Sequence, residues 1–309
     1  MFSLNDKKIL LTGGAGFLGK RIVEHLIAHG ASAANITVPR SSEYDLRRQD
    51  ACEKLAQGMD LVIHAAGVVG GIGYNRAHPG RAYYDNAAMG LNILEASRLA
   101  GVKKFVGVGT VCEYPKFSPI PFKESDLWSG YPEETNAPYG LAKKMTLVQS
   151  QAYAAEYGMN AVHLLMVNLY GPGDNYDPES SHVIPALIRK VHDAKKAGAP
   201  FIEAWGTGKA SREFLYVDDA AEAIVLAAER YEKSDPVNLG SGMEITIKEL
   251  TELICRLMEY PGGIHWDASK PDGQPRRALD VSLAEREFGF RAKVGFEEGL
   301  KTMIGEYVA

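Results

Sequence analysis

Ile9-Leu10-Leu11-Thr12-Gly13-Gly14-Ala15-Gly16-Phe17-Leu18-Gly19 is the stretch that decides the fold. Three apolar residues suited to a short buried strand run into three regularly spaced glycines. Arg21 to His29 follows, with Ile22, Val23, Leu26 and Ile27 at helical spacing. In a strand, glycine turn and helix, the glycines let backbone approach a pyrophosphate and the helix N-terminus favours its charge. Gly13, Gly14, Ala15, Gly16, Phe17, Leu18 and Gly19 are therefore expected to cradle a dinucleotide. An acidic residue that would bind a ribose diol belongs about 20 residues further on. The chain has Pro39-Arg40-Ser41-Ser42 there. Arg40 suits the 2′-phosphate that an acid would repel, so NADP(H) is the expected cofactor.

The same alternation continues outward. Asn35–Val38, Asp60–His64, Lys104–Val108 and Ala161–Val167 read as short buried strands. Asp50–Gln57, Ala87–Ala100 and Tyr139–Tyr157 read as helices between them. Strands alternating with helices predict an α/β fold, a Rossmann doubly wound parallel sheet. After Asn168 the character changes, with Gly171-Pro172-Gly173-Asp174 and Asp177-Pro178 marking loops. Glu213–Val217 followed by Asp218–Arg230 is again strand then helix and is expected to return to the sheet. The expected division is a cofactor domain of residues 1–169 and 210–235. A smaller α/β substrate-binding lobe, residues 170–209 and 236–309, would sit over the carboxyl edge of the strands.

The chain has 309 residues, and 34 Lys plus Arg against 39 Asp plus Glu leave a net charge of −5. That balance argues against a nucleic-acid or anionic-membrane partner but allows a local basic pocket. Cys52, Cys112 and Cys255 are odd in number and widely spaced, which fits neither a disulfide framework nor a zinc site. Reduced thiols, a polar N-terminus without an apolar signal region, and no apolar run of about 18 residues point to a cytoplasmic protein. His25 and His29 share a helix face with no third ligand placed near them, so no metal is expected.

Tyr139 and Lys143 are four apart and lie on one helix face. A nearby ammonium would stabilise the phenolate and bring Tyr139 towards the range of a general acid. Such spacing is expected about once by chance in this composition. Its weight comes from its place after the fourth strand, whose end carries Thr110, a hydroxyl able to bond a substrate oxygen.

These residues, with His64-Ala65-Ala66-Gly67 and the G-x-x-G-x-x-G spacing, resemble the extended short-chain dehydrogenase/reductases that act on nucleotide sugars. Cys112-Glu113-Tyr114-Pro115-Lys116, Asn136-Ala137-Pro138-Tyr139, Ser181-His182-Val183-Ile184-Pro185, Arg212-Glu213-Phe214-Leu215 and Lys270-Pro271-Asp272-Gly273 narrow this to the GDP-L-fucose synthase family, in order along nearly the whole chain. The resemblance implies NADPH-dependent conversion of a GDP-4-keto-6-deoxy-hexose, by epimerisation at C3 and C5 and then reduction at C4. It implies Cys112 and His182 as the proton carriers for epimerisation. Tyr139, with Thr110 and Lys143, would donate at the C4 oxygen. Ala65, Ala66, Val108, Gly109, Asn168, Leu169 and His182 would join Tyr139 and Lys143 in lining the cofactor. Lys190 and Arg212 would meet the substrate pyrophosphate, Trp205 would pack on the nucleotide or sugar, and Asp272 would add a further contact. The helices Ala87–Ala100 and Tyr139–Tyr157 match those that pair subunits in this family, which implies a homodimer.

Two residues depart from the family pattern. Thr110 replaces a Ser and keeps the hydroxyl. Glu113 replaces an apolar residue, and a carboxylate turned inward there would oppose ionisation of the Cys112 thiol. A plain GDP-sugar 4-keto reductase remains an alternative. A dehydratase is disfavoured because Val111-Cys112 stand where an Asp-Glu pair would be needed. A non-catalytic NADP sensor is disfavoured because Tyr139 and Lys143 are both present. The sequence leaves the sugar open among 6-deoxy, 3,6-dideoxy and heptose forms.

Overall fold

The computed structural model describes residues 1–270 and 272–309, so Pro271 of the Lys270–Gly273 motif lies outside the described residues. The first strand, β1 (Ile9–Thr12), is wholly buried because its residues face helices on both sides of the sheet. It pairs in parallel with β2 (Ile36–Thr37) on one side and β3 (Leu61–His64) on the other. Beyond β3 come β4 (Lys104–Thr110) and β5 (Ala161–Met166), again parallel. The sheet is thus wound in two directions away from β1, and the crevice where the winding reverses lies between the ends of β1 and β3.

Helices α1 (Phe17–Ala28), α2 (Gln49–Ala56), α3 (Ile72–Ala77), α4 (Pro79–Leu99) and α5 (Ala137–Tyr157) connect these strands. α4 starts eight residues before the expected Ala87. Its first two turns, Pro79-Gly80-Arg81-Ala82-Tyr83-Tyr84-Asp85-Asn86, carry little apolar periodicity. Pro79 suits a helix's first position, and Arg81 pairs with Asp85 one turn on at 3.2 Å.

The remaining strands are β6 (Asn168–Tyr170), β7 (Phe201–Trp205), β8 (Ser211–Tyr216), β9 (Val237–Leu239), β10 (Glu244–Thr246) and β11 (Gly263–Asp267). The strand expected to rejoin the main sheet at Glu213–Val217 does not. It is β8, which pairs with β6 and β10 in a separate three-stranded sheet. β9, placed by sequence with the lobe, is instead the sixth strand of the main sheet, alongside β5. Local apolarity marks both segments as buried, but edge space beside β5 decides which one docks there. β7 and β11 form a third, two-stranded parallel sheet.

Helices α6 (Val183–Ala197), α7 (Val217–Arg230), α8 (Ile247–Leu257), α9 (Ser282–Phe288) and α10 (Phe296–Val308) complete the chain. α7 returns against α1 and joins the main core, with Ala220, Ala221 and Ile224 fully buried. α6, α8 and α10 enclose a second core around Ile188, Phe214, Leu250, Ile254 and Leu300. The two cores meet at a cleft above the carboxyl ends of β1, β3 and β4.

Candidate active site

That cleft is a cavity of about 1130 Å³, roomy enough for a dinucleotide and a second ligand together. Every site residue expected from sequence lines it except Gly14. Gly14 faces away, where a Cβ would come within 2.8 Å of both Val38 methyl carbons. It fills the space against β2 and does not border the cavity.

At the cofactor end, Gly13 has φ +78°, and a Cβ there would lie 2.7 Å from backbone atoms of Ala65 and Ala66. The glycine turn therefore touches the backbone leaving β3, and no larger residue fits. The loop after β3 is held from behind by Asn86, whose amide accepts from Val68 N–H (3.0 Å) and donates to Val68 O (2.9 Å). Arg40 stands exposed at the cavity rim and enters no ion pair among the described residues. A free guanidinium there fits a phosphate. Asp45, which the sequence reading passed over, also lines this end. Its carboxyl is held down at about 2, chiefly by hydrogen bonds from Arg47.

The catalytic end is built on the turn leaving β4. Thr110 Oγ1 accepts from Cys112 N–H at 3.2 Å, and Glu113 reaches back to accept from Thr110 N–H at 2.9 Å. This reciprocal cap fixes Thr110 and Cys112 on one side of the turn. Glu113 itself is buried and bonded to His163, so its carboxylate does not lie on the thiol as an inward-turned acid would. The group that does reach Cys112 is Arg277, whose Nη1 lies 3.5 Å from Sγ while Nε donates to Gln274 Oε1 at 2.7 Å. Arg277 is separated from Cys112 by 165 residues, which is why spacing gave no warning of it.

Tyr139 enters the cavity from the first turn of α5. Burial pushes its phenol above the ordinary value, the charges of Cys112 and Glu113 push the same way, and the Thr110 hydroxyl partly offsets them. The expected lowering by Lys143 is absent. Lys143 Nζ instead donates to Val108 O at 3.1 Å and Ala66 O at 3.4 Å, and burial lowers it to about 8. Without a ligand, Tyr139 is thus protonated at neutral pH, as a proton donor must be. His182 stands just before the first residue of α6, and burial lowers its imidazole below the usual value, favouring the neutral ring. His25 and His29 sit elsewhere, beside Asp218 and Glu229.

In the lobe, Lys190 Nζ donates to Glu203 O at 2.9 Å and lies 5.4 Å from the centre of the Trp205 ring. Lys270 flanks the same half-exposed ring at 5.6 Å. Arg212 points from β8 into the cavity, and its Nη1 donates to Ser211 O and Gln274 O at 2.7 and 2.6 Å. Burial, with Arg277 nearby, lowers it to about 9. The Asp272 carboxylate is engaged by Thr207, N–H at 2.7 Å and hydroxyl at 2.8 Å, while its carbonyl accepts from Arg212 at 3.1 Å. Asp272 therefore shapes the Thr207 turn and steadies Arg212 rather than offering a free acid to the cavity.

A model of the NAD dependent epimerase/dehydratase family matches residues 9–240. GDP-L-fucose synthase 1 of Arabidopsis thaliana is 40% identical over 99% of this chain and 95% of its own length. Among solved structures, a GDP-L-fucose synthetase from Naegleria fowleri bound to NADP has a TM-score of 0.86 at 29% identity, covering 98% of this chain and 94% of that one. A GDP-6-OMe-4-keto-L-xylo-heptose reductase from C. jejuni has a TM-score of 0.90 at 28% identity, covering 100% and 99%.

Proposed function

From a chain that belongs to the NAD dependent epimerase/dehydratase family, and within it to the GDP-L-fucose synthases, we propose an NADPH-dependent enzyme that converts GDP-4-keto-6-deoxy-D-mannose to GDP-L-fucose. The observation that carries this reading is the grouping of Thr110, Cys112, Tyr139 and His182 around one cavity that also holds a glycine turn and a cluster of cations.

The glycine turn, Arg40 and Lys143 fit NADPH, which when bound supplies hydride equivalents for reduction at C4. The substrate's C4 ketone acidifies the hydrogens on C3 and C5. Cys112, as thiolate, removes a proton from one face, leaving an enolate. The Arg277 guanidinium beside Sγ offsets the negative charge at that step. His182, neutral at rest, takes up a proton from solvent and returns it from the other face, which inverts the carbon. In the reduction Tyr139 gives its phenolic proton to the C4 oxygen and Thr110 hydrogen-bonds that oxygen, while Lys143, held on the carbonyls of Ala66 and Val108, stands at the cofactor side of the site. Lys190 and Arg212 hold the pyrophosphate, Trp205 packs against the nucleotide, and Asp272 keeps Arg212 in place.

We assign residues 1–169 and α7, with β9, to the cofactor half, and β8, which carries Arg212 and packs in the second core, to the sugar half. The exposed side chains of Tyr84 on α4 and Val148 on α5 support a homodimer through these helices. No helix among the described residues is long and apolar enough to cross a membrane, and we place the enzyme in the cytoplasm.

A second reading, reduction without epimerisation, is favoured by the likeness to the heptose reductase. One experiment separates them. Protein incubated in deuterated water with GDP-4-keto-6-deoxy-D-mannose and NADPH should yield GDP-L-fucose carrying deuterium at C3 and C5. Reduced product without label at either carbon refutes the epimerase and leaves the reductase.

A further inference from the structure

Glu113 and His163 are the buried ionisable pair that the chemistry above does not use. They are 0% and 1% exposed. Glu113 Oε1 takes two hydrogen bonds, from Thr110 N–H at 2.9 Å and from His163 Nε2 at 3.0 Å, while Oε2 lies 3.1 Å from the same ring nitrogen. The ring's other nitrogen has no partner among the described residues, so the contact with Glu113 is what orients the imidazole.

The surroundings are shaped to this pair. His163 stands on β5 directly across from Gly107 of β4. Gly109, two residues on, lies beneath the pair, where a Cβ would come within 2.3 Å of His163 Nε2 and 2.5 Å of Glu113 Oε1. On the opposite side of the turn, Gly140 of α5 lets helix backbone press on Cys112, and a Cβ there would sit 2.1 Å from Cys112 O. Gly140 directly follows Tyr139. The Thr110–Glu113 turn is therefore wedged between the pair and the helix that carries the proton donor.

Resting on the function proposed above, we infer that Glu113 and His163 are positioning residues for both halves of the reaction. By holding Thr110 N–H they fix the turn so that the Thr110 hydroxyl and the Cys112 thiol face the same point as Tyr139. The charge of Glu113 also reaches Tyr139 and Lys143, which makes it necessary to separate geometry from charge.

Two near-conservative variants do so. Glu113→Gln keeps the length and an oxygen for Thr110 N–H, and its amide N–H donates to His163 Nε2 in the ring's other tautomer, so the contacts survive without the charge. Glu113→Asp keeps the charge but is one methylene too short to span the gap. Geometry predicts that Gln retains reduction and solvent-deuterium exchange within about threefold. Asp should lose about tenfold or more in kcat for both, with KM and NADPH affinity unchanged, as expected when reacting groups are misplaced by a fraction of an ångström. Asp as active as Gln, or a loss confined to one half-reaction, overturns the inference.

If Glu113→Asp no longer binds NADPH, His163→Leu takes its place, with the same expected loss, and full activity there overturns the inference. Iodoacetamide alkylation gives a readout independent of substrate. Cys52 and Cys255 are buried, so the rate reports Cys112. It should match the parent in Gln and differ at least about threefold in Asp, because alkylation follows thiol placement. Failure of the parent protein to turn over the GDP-sugar counts against the proposed function. An unchanged alkylation rate in Asp counts against the pair.

Discussion

Gly19→Ala tests whether the glycine turn is as tight as the structure draws it. A Cβ at Gly19 would lie 2.1 Å from Gly13 O, 2.5 Å from Gly14 Cα and 2.8 Å from Gly13 C. All three are backbone atoms, so no side chain can swing aside. The shortfall from ordinary contact at Gly13 O is about 1.3 Å, and α1 or the turn must move by most of that distance. Overpacking of this kind costs about 1–3 kcal/mol. The turn borders the open cavity while α1 is anchored by the fully buried Ile22 and Leu26, so the turn is the part that yields. The strain should then appear in cofactor binding, as NADPH affinity weakened roughly 5- to 150-fold. Titration of the NADPH fluorescence measures it directly, and thermal unfolding of the ligand-free protein checks where the cost falls. A variant that binds NADPH within about twofold of the parent and melts within about 1 °C of it would refute the close approach.

Other outcomes follow from the same geometry. Tyr139→Phe keeps the ring but removes the proton, so reduction should slow by about 10² to 10⁴ with NADPH binding retained, and a rate within about threefold of the parent would show that another group donates. Cys112→Ser should depress deuterium incorporation at C3 and C5 far more than reduction, yielding unepimerised 4-reduced GDP-sugar; equal losses in both steps would argue against separate roles. Arg40→Ser should lower the preference for NADPH over NADH by about ten- to a hundredfold, measured as the ratio of kcat/KM values, and an unchanged ratio would remove Arg40 from phosphate recognition. Burial lowers Lys143 from 10.5 to about 8. Between those values the unfolded chain holds a proton that the native state lacks, so this group's contribution to stability rises with pH through that window. Lys143→Met should therefore exceed the parent in ligand-free stability at about pH 7, and urea unfolding should show its advantage shrinking towards about pH 10; a constant difference would contradict the buried ammonium.

The sequence by itself determined the cofactor half. Apolar triplets, regularly spaced glycines and helix periodicity are local signals, and β1, the turn and α1 follow from contacts within about a score of residues. The sequence also singled out Thr110, Cys112, Tyr139 and His182, because each lies beside a strand end or helix start that its own neighbours define. It did not determine which buried strand joins the main sheet. β8 and β9 are both fully buried, and only the space beside β5 admits one and sends the other to β6 and β10. Nor did it determine what surrounds each functional group. Arg277 reaches Cys112, and Lys143 bonds the carbonyls of Ala66 and Val108 rather than acting on Tyr139 directly. Glu113, a threat to the thiol when read as its sequence neighbour, meets His163 and Thr110 across the turn. Side-chain direction at a turn, and partners 35 to 165 residues away, depend on how elements dock. That docking is settled by burial and hydrogen-bond satisfaction over the whole molecule, and no local stretch of sequence encodes it.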